Sequence, residues 1–328
     1  MREAQPVVRV HGVQRVFRNS SNGMGSGLGL GCQQAALGTP TAVVRRERAP
    51  DYVFDGDLRR FHMTRICFLN PFGTDSYDEL IESALRPALQ GTTEIEIRHL
   101  SHAPANIDYY APKHLVETHI MTAAIEAERD GFDAFVIGCC YDPALTQCRE
   151  LVNIPVVGPL EASVLLSRLF GHSFAVVTDH RKAVPELRDR IRLYGLEGNC
   201  RAVDAIDWYI SDMVLDPIAV ARDTFAKVQD VMSSSGAETV IIGCTIVSAC
   251  YELAALRGDA ELGSLSVVNP NVMAVKVAEM FADLNATKQY RISRTGYYQQ
   301  HAAHDAAEAD EILALLTEHP ATKSMAKA

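Results

Sequence analysis

Two segments of this chain end an apolar run on the same pair of residues. Asp133-Ala-Phe-Val-Ile-Gly-Cys139 and Glu238-Thr-Val-Ile-Ile-Gly-Cys244 align residue for residue, 105 positions apart. A thiol titrates near pH ~8.5, close enough to neutrality for acid–base work. Two thiols facing each other across a planar intermediate can invert a stereocentre beside a carbonyl. The thiolate takes the proton from one face, and the thiol returns one to the other. The bland alternative is a small buried cysteine, which serves equally well for any single strand end. Recurrence at matching positions weakens that alternative. After Cys139-Cys140-Tyr141, Asp142 reads as the N-cap and Pro143 as the first residue of a helix. The positive end of that helix would favour thiolate, and the charge of Asp142 itself would oppose it.

These thiols need elements to hold them. Arg65 to Leu69 reads as a buried strand that ends in Asn70-Pro71, and Tyr77 to Gln90 as a helix. Glu94 to Arg98 alternates like a strand, and Lys113 to Arg129 is helical. Ala134 to Ile137 and Ile154 to Val157 are further strands, the latter followed by an apolar helix through Leu169. The pattern then restarts with a strand over Ser173 to Val177, ending at Thr178. Helices follow over Ala183 to Tyr194 and Ile218 to Ser234, then strands over Thr239 to Ile242 and Leu265 to Val268. A last helix runs to Leu284. Alternating strands and helices imply a parallel sheet covered on both faces. The restart, together with the match of Val156-Val-Gly-Pro159 to Val267-Val-Asn-Pro270, implies two copies of one α/β unit. Ligands of such sheets sit beyond the carboxyl ends of the strands, where both Gly-Cys pairs fall.

Composition narrows the remaining classes. The 328 residues carry a formal charge of −10, which argues against a nucleic-acid surface. The eight cysteines are too sparse for a disulfide scaffold and form no C-x-x-C. A reducing, cytoplasmic compartment is expected, with no membrane span and no signal peptide. Residues 1–62 hold nine Arg, no Lys and five acidic residues, and Gly23 to Gly31 has glycine at every second position. This stretch reads as a flexible extension outside the fold, faintly like a transit peptide, with Met63 as an alternative start. Beyond it, 63–170 forms the first lobe, joined by the helix at 271–290. Residues 171–270 form the second lobe, and 291–328 a tail with an amphipathic helix over Ala302 to Leu316.

Other signals are weak. His301 and His304, with Glu308, read as a solvated helical face rather than a metal site. His99, His102, His114 and His119 lack ligand partners at a recognised spacing. Trp208 is expected to pack rather than to line a cleft.

The motifs around the thiols also resemble a known family. Ile137-Gly-Cys-Cys-Tyr-Asp-Pro-Ala-Leu145, Pro155-Val-Val-Gly-Pro-Leu-Glu-Ala162, Gly171-His-Ser-Phe-Ala-Val-Val-Thr178, Gly195-Leu-Glu-Gly-Asn-Cys-Arg201 and Ile242-Gly-Cys-Thr245 occur in the order seen in the hydantoin racemase branch of the Asp/Glu/hydantoin racemase superfamily. The resemblance covers about Met63 to Leu284. It implies two pseudo-symmetric flavodoxin-like (Rossmann-like) α/β lobes with parallel sheets and an active site in the cleft between them. It also implies catalysis by Cys139 and Cys244 as acid and base, with no metal or organic cofactor. Asn70, Pro71, Thr178 and Thr245 match family positions able to contact substrate, and Gly138, Cys140, Tyr141 and Gly243 complete the expected binding set. The chain departs from the family at Asn70-Pro-Phe-Gly-Thr-Asp-Ser76, where Phe72 replaces a small polar residue and two residues are inserted.

The expected activity is racemisation of a hydantoin-like or amino-acid-derived compound. Cis–trans isomerisation of the maleate isomerase kind, decarboxylation on the same scaffold, and a non-enzymatic two-lobed binding protein are the alternatives. The expected partners are a small-molecule substrate and further copies of the chain in a homo-oligomer.

Overall fold

The computed structural model describes residues 63–259, 261–318 and 321–324, which fall within one compact unit, Gly56–Ala328. The N-terminal extension expected over 1–62, with its glycine-rich stretch and Cys32, lies outside the described residues. The first lobe runs β1 (Thr64–Asn70), α1 (Asp78–Leu85), β2 (Thr93–Leu100), α2 (Tyr110–Arg129), β3 (Ala134–Ile137), α3 (Leu145–Leu151), β4 (Val156–Val157) and α4 (Pro159–Leu166). The second runs β5 (Phe174–Thr178), α5 (Ala183–Leu193), β6 (Cys200–Ala205), α6 (Ile210–Met213), α7 (Pro217–Ser235), β7 (Thr239–Ile242), α8 (Thr245–Leu256) and β8 (Val267–Val268). The chain continues through α9 (Pro270–Ala286), α10 (Ala306–Thr317) and β9 (Thr322–Ser324).

The duplication read from the sequence is visible in the strand order. The first sheet is β4-β3-β1-β2, extended by β9, and the second is β8-β7-β5-β6. All pairings are parallel except that of β9 with β2. In both sheets the chain reverses direction beside the first strand of the lobe. The switch points therefore lie between β1 and β3, and between β5 and β7. Ile66 to Leu69, Ala134 to Ile137 and Val240 to Ile242 are fully buried, as strands covered on both faces must be.

Although α9 follows β8, it packs on β1, β3 and β4 and against α4 of the first lobe. Its Ala274, Val275, Ala278 and Ala282 form the buried stripe. The small residues allow the helix to lie close to the sheet. One apolar cluster runs through both lobes, joining Phe68, Ile137 and Val164 to Val176, Ile242 and Ala249.

Several sequence expectations change. β6 and β9 are additional strands at sheet edges, and β4 and β8 are two residues each. The terminal helix begins at Ala306, capped by the Asp305 carboxylate, which accepts from the N–H groups of Ala307 and Glu308. His301 and His304 therefore precede the helix rather than sharing one of its faces, and the His301 ring contacts Glu308 at 2.9 Å. Trp208 is half-buried, and its indole N–H donates to Asp223 at 2.9 Å. No helix among the described residues is long and apolar enough to cross a membrane.

Candidate active site

Both Gly-Cys pairs sit at a switch point, and both glycines are there for the same reason. The Gly138 N–H donates to Leu69 O and the Gly243 N–H to Val177 O, each at 2.7 Å. Each bond links the end of the cysteine-bearing strand to the neighbouring first strand of its lobe. A Cβ at Gly138 would lie 2.4 Å from the Phe68 ring and 2.5 Å from Leu69 O. One at Gly243 would lie 2.6 Å from Val176 Cγ1. Only a residue without a side chain lets the backbone pass so close to its neighbour.

The carbonyls of the same glycines are also held. Thr178 Oγ1 donates to Gly243 O at 3.0 Å, and Thr245 Oγ1 donates to Gly138 O of the other lobe at 3.0 Å. Thr178 and Thr245 thus serve the scaffold, and both are buried. Cys140 Sγ reaches Ile242 O across the lobes at 3.9 Å. Through these contacts the carboxyl ends of β3 and β7 abut. Tyr141 is within electrostatic reach of both Cys139 and Cys244.

Cys139 and Cys244 are each 6 % exposed. Burial pushes the Cys139 thiol up to about 12, against a hydrogen bond from the Tyr141 backbone and the charge of Lys113, which favour thiolate. Burial also raises Cys244 well above the ordinary thiol value, and the Asp179 carboxylate adds to the rise. Opposing it are the backbone N–H groups of Val247 and Ile246, because Cys244 is the N-cap of α8.

The helix terminus expected after Cys139 is therefore found after Cys244. Asp142 is not the N-cap of α3, and Pro143 is not its first residue. Asp142 has φ 46° and Ala144 φ 54°, both left-handed, so right-handed helix starts only at Leu145. The buried Asp142 carboxylate turns instead to the first turn of α4, accepting from Leu160 N at 3.1 Å and Glu161 N at 2.7 Å. It also accepts from the Tyr194 hydroxyl of the second lobe at 2.6 Å. The matching helix of the second repeat, α9, is capped by its own Asn269. Gly158 occupies the equivalent place before α4 and has no side chain to offer.

The other expected site residues lie around this seam. Asn70, at the end of β1, is fully buried. Its Nδ2 donates to Asp78 Oδ1 at 2.6 Å, and its Oδ1 has no partner within the chain. Pro71 is buried beside it, and Phe72 packs its ring on Tyr77 with centroids 5.0 Å apart. The Tyr141 hydroxyl is buried and unpartnered, with Lys113 Nζ 3.1 Å from its ring centroid. Lys113 bonds Glu186 of the second lobe at 2.6 Å.

Three residues not expected from the sequence join this group: Asp108, Asp179 and His180. Asp108 precedes α2, while Asp179 and His180 directly follow β5. Their ligand-type atoms lie within 4.8 Å of one another, and all three side chains are buried. Thr178-Asp179-His180, three polar residues closing an apolar strand, was the available signal. Cys67, Cys148, Cys200 and Cys250 lie within strands and helices and take no part in the seam.

A cavity of about 550 Å³ lies between α4, α9 and the segment that follows it, lined by Leu166, Met280, Phe281 and Tyr290 among others; neither Cys139 nor Cys244 lines it.

The fold recurs in known proteins. Allantoin racemase from Klebsiella pneumoniae superposes with a TM-score of 0.65 at 23% identity, covering 72% of this chain and 93% of that one. Allantoin racemase from Pseudomonas fluorescens gives 0.64 at 25% identity, with 72% and 97% coverage. A hydantoin racemase of Rhizobium meliloti is 30% identical over 216 residues, which is 65% of this chain and 87% of the relative. The family model described as Asp/Glu/Hydantoin racemase matches residues 66–278, a span that takes in both sheets and both Gly-Cys seams. A duplicated lobe with one strand-end thiol per copy runs through the whole matched region, and the chain belongs to the Asp/Glu/hydantoin racemase family as an isomerase of the racemase kind.

Proposed function

We infer that the protein racemises a carbon acid whose stereocentre adjoins a carbonyl, using Cys139 and Cys244 as the acid–base pair. The observation that carries this reading is the equivalence of the two thiols. Each follows an inner strand of its own sheet, at the switch point, and the two strand ends abut across the lobes. The similarity to hydantoin and allantoin racemases supports a hydantoin-like or allantoin-like cyclic ureide as the substrate class.

In the reaction one thiolate takes the α-proton, and the C–H electron pair moves into the carbonyl to give an enolate. The opposite thiol returns a proton to the other face. The pair ends with its protonation states exchanged, and the reverse reaction restores them. The balance closes on these two groups, so the proposal includes no metal or organic cofactor.

Lys113 favours ionisation of Cys139, whereas the Asp179 carboxylate opposes it at Cys244. A site closed to water strengthens both influences. The test is the pair of variants Cys139→Ser and Cys244→Ser, assayed with chiral hydantoins in D2O. Each variant is expected to lose racemisation and solvent-deuterium incorporation by at least about 100-fold. Wild-type turnover in either one rejects the two-thiol mechanism.

A further inference from the structure

Buried polar groups in a folded protein nearly always find partners, and the exceptions need a cause. Asp108 and His180 are such exceptions. They are 1% and 4% exposed, yet neither carboxylate oxygen and neither ring nitrogen has a hydrogen-bond partner within the chain. They come from opposite lobes, and His180 Nε2 approaches Asp108 Oδ1 at 3.4 Å without meeting hydrogen-bond geometry.

Both residues are held in place by other contacts. The Asp108 backbone N–H donates to Asn106 Oδ1 at 2.8 Å. The His180 ring stacks on Tyr209 with centroids 5.5 Å apart, and its backbone N–H donates to Asp179 Oδ1 at 2.8 Å. The pair clusters with Asp179, whose charge reaches Cys244 and Cys140 of the thiol seam. Buried groups without hydrogen bonds are unfavourable unless a further partner satisfies them.

We propose that Asp108 and His180 form the subsite that grips the amide or imide edge of the substrate. The carboxylate accepts the substrate N–H, and the imidazole donates to the adjoining carbonyl oxygen. This rests on the racemase reading above and deepens it by naming residues that select the substrate. The surrounding charge selects against a carboxylate in the same place. Asp108 and Asp179 are both acidic, and the nearby cation, Lys113, is engaged by Glu186. A neutral group offering a donor beside an acceptor satisfies both free partners, and an anion meets two carboxylates. The pair thereby separates cyclic ureides from free amino acids on a scaffold otherwise suited to either.

The experiment uses calorimetric binding of unsubstituted hydantoin, which is achiral, and of its ring-opened acid, N-carbamoylglycine. The full-length wild type, Asp108→Asn and His180→Gln are compared, with thermal unfolding checking that each variant folds. The wild type is expected to bind hydantoin and to discriminate against the acid. Each variant should bind hydantoin about tenfold or more weakly. Asp108→Asn should also narrow the preference over the acid.

Three outcomes overturn the proposal: hydantoin binding unchanged in both folded variants, no preference over the acid in wild type, or a stoichiometric divalent metal in wild type that both variants lose. The last would make Asp108, Asp179 and His180 a metal site. Failure here is distinguishable from failure of the thiol mechanism. Binding that depends on Asp108 and His180 in a protein that racemises no hydantoin keeps the subsite and rejects the chemistry. Racemisation with unchanged kcat/KM in both variants does the reverse.

Discussion

The hydroxyl of Thr245 in the second lobe donates to the carbonyl of Gly138 in the first, at 3.0 Å. That carbonyl belongs to the peptide leading into Cys139, and Thr245 itself follows Cys244. One hydrogen bond therefore ties the two thiols' backbones together across the lobes. Thr178 holds the equivalent carbonyl of Gly243 at the same distance from within the second lobe. Thr245 thus registers the two thiols against each other, the alignment that the proposed proton transfer from opposite faces of one carbon requires.

Thr245→Val removes the cross-lobe bond and leaves a buried carbonyl unpaired. Unfolding in urea is expected to show a loss of about 1–3 kcal/mol. The fall in kcat should exceed the change in KM, and Thr245→Ser should restore most of both. A Val variant with wild-type kcat would deny the bond a part in aligning the thiols.

Gly138→Ala is expected to be the harsher of the two glycine replacements. Its new methyl would collide with Leu69 O, a backbone atom that cannot rotate aside, whereas at Gly243 the nearest atom is a valine methyl. Losses of about 1–3 kcal/mol or more are typical of forced overpacking. Thermal unfolding of both variants checks the order, and Gly243→Ala melting below Gly138→Ala would contradict it.

The thiols should resist alkylation at neutral pH. With Cys139 held up at about 12, its thiolate fraction rises tenfold per pH unit past pH ~9, where an unperturbed cysteine levels off. Iodoacetamide kinetics followed by peptide mass analysis at Cys139 should show that continued rise. Lys113→Met removes a cation that favours the thiolate and should slow the reaction at every pH. A plateau near pH ~8.5 would mean that the thiol is not desolvated as the structure implies.

Asp142 gives the fold a pH dependence of its own. Burial raises its carboxyl from 3.8 to about 6, against the hydrogen bonds it receives from Tyr194, Glu161 and Leu160. The folded chain therefore holds this proton more tightly than the unfolded one. The stability that the group contributes is full below pH ~4 and is lost as pH rises through about 6. The unfolding free energy of Asp142→Asn minus that of wild type should thus shift in the variant's favour by roughly 2–3 kcal/mol between about pH 4 and 7.5. A difference independent of pH would show that the carboxyl titrates normally.

Much of the fold was legible because its signals are local. β3 and β7 were read to the residue, since fully buried parallel strands are unbroken apolar runs ended by glycine. β6 and β9 leave no such signal, because edge strands need no unbroken apolar run. Cys200 to Ala205 is only partly buried, and β9 exists through its pairing with β2. From the sequence Asp142 reads as a local cap, because Asp-Pro is a helix-start signal. The N–H groups that it satisfies belong to Leu160 and Glu161, far along the chain.

The sequence by itself determined the duplication, the placement of one thiol at each central strand end, and the family. Each of these is written in short contiguous patterns. Only the tertiary structure decided which helix terminus faces which thiol, that Thr245 bridges to Gly138, and that Asp108 meets His180. The last two pairings join residues far apart in the chain and from opposite lobes. The dryness that lifts both thiols arises only when the two lobes close over them, and burial is a property of the packed chain rather than of any segment in it.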